Sequence, residues 1–149
     1  MSSDRLIDFI CKRYSGLIVK SSWGETGLFY NPEHKLANGV YFLTIKDHDG
    51  ENDKSANLNR PDVYRVSFAI SEKVFFEIFG EKPPRPLKRS VVNTGHNFQK
   101  LDELMPHPIY AWMNWVQILS PSENSLNNIV KLLDDSYLNV KNKYAKLIK

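Results

Sequence analysis

Pro106-His107-Pro108-Ile109-Tyr110-Ala111-Trp112-Met113-Asn114-Trp115-Val116-Gln117-Ile118-Leu119-Ser120-Pro121 holds two of the three tryptophans of a 149-residue chain, and a histidine set between two prolines. The run from Met113 to Leu119 is long enough for one strand, and the prolines at its ends stop it from extending. Its rings can bury more apolar area than those of any other short window. The stretch therefore reads as a central strand with a rigid lead-in.

Working outward, Ser122 is placed to cap a helix reaching to Ile148, because Leu126, Ile129, Val130, Leu133, Tyr137, Val140 and Tyr144 form one stripe at helical spacing. The lysines near its end, Lys141, Lys143, Lys146 and Lys149, complement the helix dipole and need no ligand to explain them. On the other side, residues 81–101 lack any period and carry Pro83-Pro84-Arg85-Pro86 followed by Lys88-Arg89. An unstructured stretch of that length inside a domain is commonly functional or mobile. Before it, Ser71 caps a short helix through Phe79, with Gly80 beyond the last turn.

Val63 to Ile70 alternates: Tyr64, Val66, Phe68 and Ile70 point one way, and Arg65, Ser67 and Ala69 the other. That strand has one buried face and one available face. Asp47 to Asn59 reads as a solvated acidic loop. A calcium loop fails there, since counting from Asp47 puts Asn52 where glycine is needed and Leu58 where the bidentate glutamate is needed. Val40 to Lys46 is a strand with Tyr41, Leu43 and Ile45 on one face. Leu17–Ser21 and Leu28–Tyr30 form a hairpin around Trp23 to Gly27, and Leu6, Ile7, Ile10 and Tyr14 mark a first helix from Asp4 to Tyr14. The sum is a single α+β domain over residues 1–149. Its sheet is mostly antiparallel with about five strands, its helices are N-terminal, middle and long C-terminal, and 81–101 is an irregular basic loop.

Bulk composition agrees with this. Hydrophobic residues make up 42% and charged residues 25%, which excludes disordered and fibrous classes. With Cys11 as the only cysteine a disulfide scaffold is excluded, and Cys11 itself reads as a small core residue. The start of the chain lacks a signal peptide's pattern and no window is apolar for ~20 residues, so no membrane is implied and the expected location is cytoplasmic. A net charge of +3 names no partner by itself.

Among chemistry-bearing residues, His34, His48, His96 and His107 are scattered without the spacing of a zinc site, so no metal is expected. Glycine-rich phosphate loops and the Gly-x-Ser-x-Gly elbow are missing from the sequence, and no cofactor follows. His107 is the best candidate for acid or base work, held by stiff flanking prolines, although it can equally cap a turn. Arg60 and Arg65 can fork onto a carboxylate or phosphate, or pair with acids between Asp47 and Asp62. Trp23, Tyr30, Tyr64, Tyr110, Trp112 and Trp115 can contribute aromatic walls to a pocket shared with them. Lys82, Arg85, Lys88, Arg89 and Lys100 are the candidates for contacts to nucleic acid.

The strings Ser22-Trp23-Gly24, Phe29-Tyr30-Asn31-Pro32, Thr44-Ile45-Lys46-Asp47, Asn59-Arg60-Pro61-Asp62-Val63-Tyr64-Arg65-Val66 and Pro106-His107-Pro108-Ile109-Tyr110-Ala111-Trp112-Met113-Asn114-Trp115 together resemble a bacterial family of small single-domain proteins of unknown function. The resemblance implies a bacterial cytosolic protein and brings no activity with it. More distantly, the layout and Leu133-Asp134-Asp135-Ser136-Tyr137-Leu138-Asn139-Val140 look like the MmcQ/YjbR-like proteins, whose α+β fold has been suggested to bind DNA. The reading favoured by the residues is a non-enzymatic binding module for a small molecule or protein partner. A nucleic-acid binder using the basic loop and a small enzyme using His107 are the alternatives.

Overall fold

The structure, a computed structural model, describes residues 1–22 and 24–149. Helix α1 (Ser3–Arg13) leads into strands β1 (Leu17–Ser22), β2 (Glu25–Tyr30), β3 (Val40–Lys46) and β4 (Arg65–Ala69). Helix α2 (Glu72–Phe79), the short strand β5 (Met105–Pro106), β6 (Trp115–Leu119) and the long helix α3 (Glu123–Leu147) follow. Every strand pairing is antiparallel, and the sheet order is β1-β2-β3-β4-β6-β5. The α+β fold is as the sequence predicts, with six strands where about five were expected. The additional one is the two-residue β5, too short to leave a period in the sequence.

Caps set the helix boundaries. The hydroxyls of Ser2, Ser71 and Ser122 accept from the N–H groups of Arg5, Val74 and Ser125, which satisfies donors that the first helical turn leaves without partners. Leu6, Ile10 and Tyr14 from α1, and Leu126, Ile129, Leu133, Val140 and Tyr144 from α3, pack on Leu28, Phe42, Leu43, Ile45, Val66, Phe68, Val116 and Ile118 of the sheet. Each such side chain taken out of water contributes about 1.5–3 kcal/mol before entropy is counted. Among the described residues the main core thus lies on one face of the sheet. The edges are blunted: the outer half of β1 carries exposed Lys20, Ser21 and Ser22, and Pro106 closes β5.

Three strand expectations are corrected, and the first two corrections shape the opposite face. The expected strand from Met113 starts at Trp115, because Ala111–Met113 form a short 3-10 turn ended by Asn114 in the left-handed region at φ 68°. Tyr41, Leu43 and Ile45 do not share one face. The β2–β3 register passes from Leu28↔Leu43 to Phe29↔Tyr41, so Phe42 is the extra residue of a bulge. Phe42 and Leu43 both enter the core, while Tyr41 turns outward and is 54% exposed. The second hairpin strand also begins earlier than expected, at Glu25.

Candidate functional site

The site lies on the sheet face away from α1 and α3. Across β3 and β4, Lys46 faces Arg65 and Thr44 faces Ser67, while Ile45 and Val66 between them point to the core. On one side Glu25 neighbours Lys46, and on the other Trp115 neighbours Ala69. Side chains thus come from four adjacent strands. Above them rise the loop of residues 47–62, which supplies Gly50, Glu51, Asn52 and Asp53, and the segment 107–113, which supplies His107, Ile109, Tyr110 and Met113. Together they enclose a half-open cleft of about 480 Å³, within the usual range for small-molecule sites.

A three-charge cluster forms the floor. Asp53 accepts from Arg65 Nη1 at 2.9 Å and from Arg65 Nη2, and from Lys46 Nζ at 3.2 Å. Side-chain exposure is 4% for Arg65 and 13% for both Lys46 and Asp53. Burial alone would raise the Asp53 carboxyl. The Arg65 hydrogen bonds and charge, helped by Lys46, outweigh burial and hold it below the usual carboxylate range. Asp53 was expected in a solvated loop, and this is corrected. Gly50 and Asp53 exchange backbone hydrogen bonds of 3.0 and 3.2 Å, Asp49 Oδ1 accepts from the Leu58 N–H at 2.7 Å, and Ala56 and Leu58 pack with Val63 and Leu119. These contacts fold the loop back over the sheet. A Cβ at Gly50 would come 2.7 Å from Lys46 Nζ, so a larger residue there would push the ammonium aside.

His107 is 2% exposed. Its N–H donates to Trp115 O at 3.0 Å, and its Nδ1 accepts from the N–H groups of Ile109 and Tyr110 at 3.1 and 3.2 Å. The imidazole caps the turn that follows it, and its one lone pair is occupied, so the ring proton sits on Nε2. Burial first, then the charges of Arg65 and Lys46, push its pKa well below 6.5, with Asp53 opposing. A neutral imidazole in this tautomer donates one hydrogen bond and has no lone pair left to take a proton. Nε2 makes no hydrogen bond among the described residues, and the ring lines the cleft.

Two further polar atoms on the floor, Arg65 Nε and Ser67 Oγ, are buried and meet no partner among the described residues. An unmet buried polar group costs about 1–3 kcal/mol, and native structures hold few of them. The walls are aromatic and apolar, with Tyr41, Tyr110 and Met113 exposed by 54%, 44% and 42%. Burial, then Glu25 and Tyr110, raise the Tyr41 phenol, so these groups stand close together at the mouth.

Of the residues singled out in the sequence, Arg65, His107, Tyr110 and Trp115 meet in this cleft. Arg60 does not line it. Its Nε donates to Asn57 O at 2.8 Å and its Nη2 to Ala56 O and Gln99 O at 3.0 and 2.9 Å, which ties two loops together. Tyr30 is on the helix side, edge-on to Tyr137 and Tyr144, and the Tyr64 hydroxyl donates to Met1 O. Trp112 lies under the Arg85 guanidinium, 4.9 Å from its ring centre. Trp23 lies outside the described residues. Lys82 pairs with Glu72 and Lys100 with Glu103, while Lys88 and Arg89 have no ion-pair partner among the described residues. Lys46, Asp53 and Ser67 were missed. The alternation of β4 carried the signal for Ser67, two residues from Arg65 on the same face, whereas nothing local marks Asp53 among its acidic neighbours.

Among the described residues no group of three or more His, Cys, Asp or Glu side chains is spaced to hold a metal ion, and no helix is long and apolar enough to cross a membrane. The floor and the segment 107–115 fall within three of the five strings singled out in the sequence, those holding Lys46, Arg65 and His107. The chain belongs to the family of unknown function DUF6194. The family model matches residues 1–148. Among curated proteins and solved structures, none is significantly similar to the chain.

Proposed function

We propose that this DUF6194 chain is a non-catalytic binding module that takes a small organic molecule into the cleft between loop 47–62 and segment 107–113. One observation carries the reading: Arg65, Ser67 and His107 line one half-open cavity, and Arg65 Nε and Ser67 Oγ, buried just beneath its surface, and His107 Nε2 have no hydrogen-bond partner among the described residues. A fold gains no stability from leaving them unmet, and a ligand that meets them recovers that cost. The neutral His107 argues against acid or base work, because its lone pair is taken by two backbone N–H groups. Asp53, fixed by Arg65 and Lys46, is equally poorly suited to accept a proton. Nucleic-acid binding through residues 81–101 is disfavoured by the pairing of Lys82 and Lys100 with acids and the stacking of Arg85 on Trp112. A cytoplasmic setting is proposed on the lone cysteine Cys11.

The test is a screen of small acids, amines and neutral aromatics by thermal shift, since a ligand that binds only the native state raises the melting temperature. Hits are mapped by amide chemical shifts. Binders that move the signals of Tyr41, Asp53, His107 and Tyr110 are expected. If every hit maps elsewhere, or the screen yields none, the cleft reading is withdrawn.

A further inference from the structure

Resting on that reading, we infer that the ligand is a small organic carboxylate, held by Arg65, Ser67 and His107 at the cleft floor, with its apolar body between Tyr41 and Tyr110. Charge supports this first. Lys46 and Arg65 contribute two positive charges and Asp53 one negative, so the buried cluster keeps one uncompensated positive charge. A monoanion cancels it. A phosphate carrying two charges would leave a buried negative charge in its place, and an amine would add a second positive one; both are costly away from water.

Geometry supports it second. Asp53 takes the end of the guanidinium, both Nη atoms. What remains is the side edge, where Nε–H and the outer hydrogen of one Nη group run parallel, the fork that matches the two oxygens of a planar carboxylate. Arg65 Nε has no partner among the described residues, and the side chain is 4% exposed. Ser67, on the same strand face, and the Nε2–H of His107 add two further donors from residues that line the same cleft. Arg65 Nε and Ser67 Oγ are buried beneath the cleft surface, so a carboxylate that bonds them is expected to shift the floor around it. Their hydrogen bonds then form at low dielectric, where they are strongest.

The acids Glu25 and Glu51 also line the cleft. Glu51 is exposed and Glu25 partly so, and solvent and salt screen them more than they screen the floor. They weaken the entry of an anion without cancelling the buried positive charge.

Benzoate, benzamide and benzylamine share one ring and differ in the group offered to the floor. Titrated into the intact chain and followed by amide and arginine Nε–H NMR signals, benzoate is expected to shift the Arg65 Nε–H and the His107 and Tyr110 amides saturably. Benzamide is expected to bind about tenfold more weakly, and benzylamine to leave Arg65 unmoved. Ser67→Ala should weaken benzoate about tenfold, as loss of one hydrogen bond to a charged group implies. Arg65→Lys, which keeps the charge and loses the fork, should weaken it at least as much, and Ser67→Ala stands alone if Arg65→Lys does not fold. Benzamide or benzylamine binding the cleft as tightly as benzoate would overturn the carboxylate assignment and leave the cleft as a binding site. No cleft signal moving with any of the three overturns the carboxylate assignment, while a binder of another class mapping to the cleft in the wider screen keeps the binding reading.

Discussion

Two arginine–aspartate forks sit on opposite sides of the sheet, and they differ in what each leaves over. On the helix side, Arg13 places Nε and Nη2 on the two oxygens of Asp134 at 3.0 and 2.9 Å, joining α1 to α3, with side chains 40% and 44% exposed. The Tyr14 hydroxyl donates to the same carboxylate at 2.6 Å. On the cleft side, Arg65 gives both Nη atoms to Asp53, the pair is 4% and 13% exposed, and Nε has no partner among the described residues. The first fork is a clasp at the rim of an apolar core: its recognition edge is used and water screens its charges. The second is buried, leaves one of its three guanidinium nitrogens unmet among the described residues and belongs to a residue that lines a cavity. Burial with an unmet donor, rather than the ion pair itself, separates the two arginines, and it is this difference on which the proposed ligand role of Arg65 rests.

Removing one partner from each fork gives the largest expected difference. Asp53→Asn leaves Arg65 and Lys46 buried without their counter-charge and should cost about 3–5 kcal/mol, as broken buried pairs do. Asp134→Asn removes a charge that water already screens, and the urea midpoint should move far less and depend more on salt. Equal losses in the two variants, read as urea midpoints at constant slope, would mean that the cleft fork is no more buried in solution than the rim one.

The pH response sharpens the same contrast. His107 has a folded pKa well below 6.5, so below that pH the unfolded chain binds a proton that the native chain does not. Its contribution is complete above about pH 6.5 and is lost as pH falls towards the folded value. The Asp53 carboxyl is also lowered, and what it contributes persists above its ordinary range near 3.8 and is lost at lower pH still. Stability should therefore decline in two stages on acidification. The first has a slope of up to about 1.4 kcal/mol per pH unit, the value for a single proton. His107→Gln, which cannot titrate, should flatten that first stage, and an unchanged slope would mean that the imidazole is already charged or open to water in the native state.

What was legible in the sequence follows the reach of each signal. The helices were, because their stripes and the serines at positions 71 and 122 act within a few residues. The two faces of β4 were, because alternation is a nearest-neighbour pattern. The bulge at Phe42 was not, since an inserted residue changes the facing of Tyr41 without changing composition. Nor was the partition of the aromatic residues: Tyr110 and Trp115 reach the cleft while Trp112, between them, turns away under Arg85, and only the 3-10 turn before Asn114 makes that possible. Asp53 was hidden most completely. Its partner lies twelve residues away across a loop, and the acids around it have the same local character.

The smallest expected stability effect is the one that discriminates best. Ser67 is 2% exposed and its hydroxyl has no partner among the described residues, so Ser67→Ala removes a buried polar group that the fold does not use. The lost methylene-sized contacts are few, and relief of the unmet hydroxyl offsets them, so the change in stability should lie within about 0.5 kcal/mol of zero or favour the variant. Ligand affinity should nevertheless fall about tenfold. A residue kept for folding would show the opposite pattern, with stability lost and binding reduced only in proportion to unfolding. Paired measurement of the urea midpoint and the benzoate dissociation constant in this one variant therefore asks whether the cleft face of the sheet is held for its contacts or for its ligand. A loss of more than about 1 kcal/mol with unchanged binding would assign Ser67, and the unmet donors beside it, to the fold.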